Sequence, residues 1–142
     1  MQSIFSTYPI ESASKHDAVI YIKCLKFLAE SDGLHHSEEK FLKDFIARRD
    51  WPSDVWTLAC EAPISSIDGL NLTDAHRLIF GPYLIRDLYL IALVHDGISD
   101  SEQAAISSVA NKLGIGQEAC LKIRSATECQ LDALKLWGQC VA

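Results

Sequence analysis

No G-x-S-x-G elbow, no glycine-rich phosphate loop, no C-x-x-C pair and no cysteine–histidine nucleophile context occurs in the 142 residues. Every motif that would point directly to catalysis is therefore missing, which favours a binding or scaffold role. There is no Lys/Arg cluster, and a net charge of −6 with a pI near 5.2 argues against a nucleic-acid partner. The longest apolar run, Leu88–Val94, is too short to span a bilayer. The N-terminal MQSIFSTYPIES lacks a basic segment followed by a long apolar one, so it does not read as a secretory leader. The five cysteines are scattered and odd in number, as expected of free thiols in a reducing, cytoplasmic setting. No segment shows sustained period-two alternation, which excludes a sheet and leaves an all-α fold.

What the chain does have is a device used twice. Ala29–Glu38 (AESDGLHHSE) and Leu93–Glu102 (LVHDGISDSE) share Asp-Gly, an aliphatic residue, two variable residues and Ser-Glu. The matching positions all differ by one offset, 64 (96 − 32, 97 − 33, 101 − 37, 102 − 38). Leu25, Leu28, Leu42 and Phe45 match Tyr89, Ala92, Ile106 and Val109 at the same offset. An apolar helix, a polar corner and an amphipathic helix thus occur twice. Gly33 and Gly97 suit the left-handed position past a helix end. Ser37 and Ser101 suit N-caps, and Glu38 and Glu102 place negative charge at a helix start. Asp32 and Asp96 oppose the dipole of the helix they follow, so loop N–H groups, the next helix or a cation must compensate.

At this length, with 49% hydrophobic residues and a mean hydropathy of +0.09, a single domain over residues 1–142 is expected, with residues 1–13 as an N-terminal arm. A first helix is expected from near Ser14 to Ser31, and an amphipathic second one over Glu38–Arg49, ended by Trp51-Pro52. A third runs from about Pro52 to Glu61. A short helix, Thr73–Phe80, should stop or kink at Gly81-Pro82, where the most hydrophobic helix, Pro82–His95, begins. Its nearly continuous apolar circumference makes it central, with Leu88, Ile91 and Ala92 buried and Arg86-Asp87 in need of partners. Ser101–Leu113 should end at Gly114. The last helix, about Gln117–Gln139, carries Cys120, Ile123, Thr127, Leu134 and Trp137 at core spacing.

The doubled pattern, carried by FLAESDGLHHSEEKFL and LIRDLYLIALVHDGISDSEQAAISSVANKLGI, resembles the TerB-like family. That family includes the bacterial tellurite-resistance protein TerB and the N-terminal domain of certain DnaJ-like co-chaperones. The resemblance implies a compact bundle of about seven helices built from two pseudo-repeated helix pairs. It also implies a role in tellurite or other stress resistance, and a proposed acidic metal-binding surface. On that basis the chain is expected to be a non-enzymatic interaction module with a protein partner and no required cofactor. One alternative is a Ca²⁺ or Mg²⁺ site made by Asp32, Glu38, Glu39, Asp96 and Glu102, whose oxygens suit hard cations. An EF-hand is excluded, because loop position one would fall on Leu28 or Ala92. A second alternative, an HD-like metal-dependent phosphohydrolase, rests on His95-Asp96 with His76 and Asp132. The first copy has Ser31-Asp32 at that place, so the aspartate belongs to the corner and the histidine is incidental. His35-His36 reads as a solvated loop pair.

Overall fold

The computed structural model describes residues 10, 13–30, 36–61, 69, 71–94 and 97–141. Among the described residues there are six α-helices and no strand, which makes the chain all-α. They are α1 Lys15–Glu30, α2 His36–Arg48, α3 Asp54–Glu61, α4 Gly81–Val94, α5 Asp100–Leu113 and α6 Gln117–Val141. Two of them form the centre: α1 packs on α2, α3, α4 and α5, and α4 packs on α1, α5 and α6. The eight apolar residues matched in the sequence are all buried, from Leu25 and Leu28 through to Ile106 and Val109. Leu88, Ile91 and Ala92 are at most 3% exposed, as the apolarity of α4 requires. Of the N-terminal arm, Ile10 is fully buried in the core, while Ile4, Phe5 and Tyr8 lie outside the described residues.

Helix ends follow the chemistry of their caps. Ser14 Oγ accepts the Asp17 N–H at 3.1 Å and so caps α1. At α5 the cap is Ser99, not Ser101. Ser99 Oγ accepts the Glu102 N–H at 3.1 Å, and the Glu102 carboxylate accepts the Ser99 N–H at 3.0 Å. A capping box needs a carboxylate three residues after the hydroxyl, and Ser99 has Glu102 there while Ser101 has only Ala104. The far ends of α2 and α5 close alike. Asp50 and Gly114 both adopt positive φ (54° and 74°). The Trp51 N–H reaches the Ile46 carbonyl at 3.3 Å, and the Ile115 N–H reaches that of Ala110 at 2.9 Å. These two endings are separated by the same offset as the repeated corners (114 − 50), although only one of them has the glycine usual at such a position.

Of the stop or kink expected at Gly81-Pro82, the stop does not occur. His76–Phe80 form a π-helical turn that runs directly into α4, with Gly81 itself helical at φ −49°, ψ −57°. Pro82 cannot donate a backbone hydrogen bond, and its ring crowds the carbonyl four residues back. A locally widened turn accommodates both without stopping the helix. The space is tight. A Cβ on Gly81 would lie 3.2 Å from the His76 carbonyl and 3.2 Å from Ile115 Cδ1. One continuous helical run therefore replaces two expected helices, which reduces seven to six.

Candidate functional site

The five carboxylates singled out in the sequence do not share one fate. Glu102 is committed to the cap of α5. Glu39 pairs with Lys43 at 3.1 Å, one turn along α2. Glu38 is buried at the start of α2, 6% exposed. Asp32 and Asp96 lie outside the described residues, as do His35 and His95. Among the described residues no three His, Cys, Asp or Glu side chains come together as a metal would need. Of the histidine and aspartate weighed for a hydrolase, Asp132 is exposed on α6 and His76 is fully buried.

Both ring nitrogens of His76 are engaged. Nε2 lies 3.0 Å from the Asp17 carbonyl, and Nδ1 lies 2.8 Å from Thr73 Oγ1. Thr73 Oγ1 in turn donates to Asp17 Oδ1 at 3.0 Å. This network ties the π-helical turn to the first turn of α1. Burial lowers the His76 pKa below the usual histidine value, against the pull of Asp17. A carbonyl oxygen can only accept, so Nε2–H is the donor in its contact with Asp17. The signal available in the sequence is Thr73 three residues before His76, and nothing there points to Asp17.

The most densely charged buried cluster surrounds Asp87, which is 1% exposed on α4. Tyr21 of α1 donates its hydroxyl to Asp87 Oδ2 at 2.5 Å, and Arg86 Nε donates to Oδ1 at 3.2 Å. Burial raises the carboxyl above the ordinary range even though Arg86, Tyr21 and Arg49 pull it down, and burial also pushes the Tyr21 phenol well up. Tyr21, Phe45 and Trp51 form an aromatic triangle with ring centroids 5.7–5.9 Å apart. The Arg49 guanidinium lies 3.3 Å from the centre of the Phe45 ring. Sealed by this cluster, the ion network holds α1 against α4 and offers no surface to a substrate. The Cys24 thiol, pushed up to about 12 by burial, is equally inert.

The largest departure from expectation is on α6. Cys120, Ile123, Thr127, Leu134, Trp137 and Val141 follow the alternating three–four spacing of a single seam. Cys120 and Thr127 are buried on the body. From Asp132 onward every described residue is exposed, Leu134 at 40%, Leu136 at 62%, Trp137 and Val141 at 66% each. The same stripe that anchors α6 therefore continues past the body without cover from any described residue. No helix among those described is long and apolar enough to cross a membrane. Compared with family models, curated proteins and solved structures, the chain matches none of them.

Proposed function

We propose that this chain is a TerB-like interaction module without enzymatic activity, which acts in stress response by binding another protein through the free end of α6. The observation that carries this reading is the exposed continuation of the α6 seam, since clustered large apolar side chains on a helix end mark contact surfaces. Two buried titratable groups fit it: Asp87 and His76 are absorbed by structural hydrogen bonds between helices. The internal architecture supports the TerB-like part. The ends of α1 and α4, the starts of α2 and α5, and the closures after them all repeat at the offset of the corners (94 − 30, 100 − 36, 114 − 50). On this reading the duplicated unit is three helices long, with α3 matched by the first turns of α6.

A photo-crosslinking residue placed at Trp137, compared with one at exposed Thr57 on α3, tests the contact in living cells. The expected result is a discrete protein adduct at position 137 that is absent at 57 and is lost when Leu134→Asp is added. Identical adducts at both positions, or adducts indifferent to Leu134→Asp, would remove α6 as the contact element.

A further inference from the structure

Two clefts occupy matching places, one between α2 and α3, the other between α5 and α6. Their linings correspond position by position at the offset of the repeat: Lys43 with Ser107, Trp51 with Ile115, Trp56 with Cys120. In the first cleft the two tryptophans fill the space, and Lys43 lies over the Trp56 ring at 5.7 Å. In the second the same places hold smaller side chains, and the volume grows from about 270 Å³ to about 490 Å³. That is the size range of small-molecule sites.

The second cleft is also wired differently. Arg124 is held by Glu128 at 2.7 Å and donates to Gln103 Oε1 at 3.5 Å. Gln103 then donates to the Tyr89 hydroxyl at 3.5 Å and to Ser107 Oγ at 3.2 Å. This chain orients its members and leaves donors over. A guanidinium has five N–H groups, of which these contacts use two, and the Ser107 hydroxyl accepts while keeping a proton to give, whereas Tyr89 is buried and anchors Gln103 from beneath. The cleft is lined also by Ala110, Ile115 and Leu121. The Cys120 thiol, raised by burial, stays protonated and serves as wall, not as nucleophile. A surplus of donors around one guanidinium, in a cleft also lined by apolar side chains, is complementary to a singly charged acceptor with a hydrocarbon body. A phosphate would demand more positive charge than one arginine already paired with Glu128.

We infer that the α5–α6 cavity is a binding site for a small amphipathic carboxylic acid, its carboxylate on Arg124 with the Ser107 hydroxyl, its apolar body against Ala110, Ile115 and Leu121. This goes beyond the interaction reading and does not rest on it. The test is a titration of the full chain with octanoate, followed by amide NMR shifts, with octanamide as the neutral control. Octanoate should saturate with shifts centred on α5 and the first turns of α6. Octanamide and the Arg124→Gln variant should each bind at least about tenfold more weakly, the loss of one charge-assisted contact. Ile115→Trp, which restores the filling of the first cleft, should abolish binding. Ser107→Trp, at an exposed rim position, carries the same test should Ile115→Trp fail to fold. No saturation up to roughly 10 mM, equal affinity for octanamide, an unaltered Arg124→Gln variant, or binding that survives closure of the cavity would each overturn the inference.

Discussion

The first three helices and the last three share an apolar register at one sequence offset but are filled differently. Tyr21, Phe45 and Trp51 close the first set as an aromatic triangle over the Asp87 network. The corresponding positions of the later set are Ile85, Val109 and Ile115, all aliphatic. Where the first set has bulk, the cleft between α2 and α3 is the smaller one, about 270 Å³. Where the second lacks bulk, a cavity opens and polar side chains line it. The apolar register is what the two sets share, while side-chain volume decides how closely each is filled.

The largest effect should come from unfilling the closed set. Phe45→Ala removes a ring that touches Tyr21, Trp51 and Arg49 at once, and should destabilise by ~3–5 kcal/mol. Val109→Ala at the matching position removes two methyl groups from a site 1% exposed, and should cost ~1–3 kcal/mol. Urea denaturation of both variants makes the comparison. Equal losses would show that the two sets are packed to the same degree and that the aromatic triangle is not what distinguishes them.

A smaller effect separates the sealed network from ordinary surface ion pairs. Tyr21→Phe takes one hydrogen bond from the buried Asp87 carboxylate and should cost ~1–3 kcal/mol at neutral pH. Its pH dependence has a definite sign. The Asp87 pKa is higher in the folded chain than in the unfolded one. The folded state therefore keeps that proton longer, and the stability contributed by the neutral carboxyl is present at acid pH and lost as pH rises through the native value. The Tyr21 hydrogen bond favours the charged form, so deleting it raises the native value further. The penalty of Tyr21→Phe should thus be smaller near pH 4 than near pH 7. Denaturation midpoints at the two pH values decide it, and a penalty equal at both would mean that the carboxyl is neutral across that range.

Much of the frame is legible in the sequence because helical periodicity and capping are local. The register of Leu25, Leu28, Leu42 and Phe45 against Tyr89, Ala92, Ile106 and Val109 needs only spacing, and all eight are buried. The continuity through Gly81-Pro82 is not legible, because proline reports a missing donor but not the π-helical turn that absorbs it. The shared closure of α2 and α5 is hidden because Asp50 takes the left-handed place that Gly114 fills. The Asp87 partners are not legible at all. Tyr21 lies far away along the chain, on α1, and no local pattern announces a contact across that distance. On α6, periodicity identifies the correct stripe without indicating where the body beneath it ends.

That last point yields the smallest expected effect on the fold. Glu61, the end of α3, corresponds to Ser125 at the offset of the repeat, yet α6 runs on well beyond Ser125 to Val141. Part of the excess is structural: Thr127 is 1% exposed, and its hydroxyl returns to the Ile123 carbonyl at 2.8 Å. Leu131, half-buried, still lines a cleft with Phe41, Phe45 and Leu90. From Asp132 on there is only exposed surface among the described residues. Deleting residues 132–142 should therefore change stability by less than about 0.5 kcal/mol, the range of ordinary surface changes, although it removes Leu134, Leu136, Trp137 and Val141. That outcome would leave the apolar end of α6 available for the proposed contact. If the deletion instead cost more than about 1 kcal/mol, these side chains would have to pack on the chain itself, and the end of α6 would belong to the core and not to a partner.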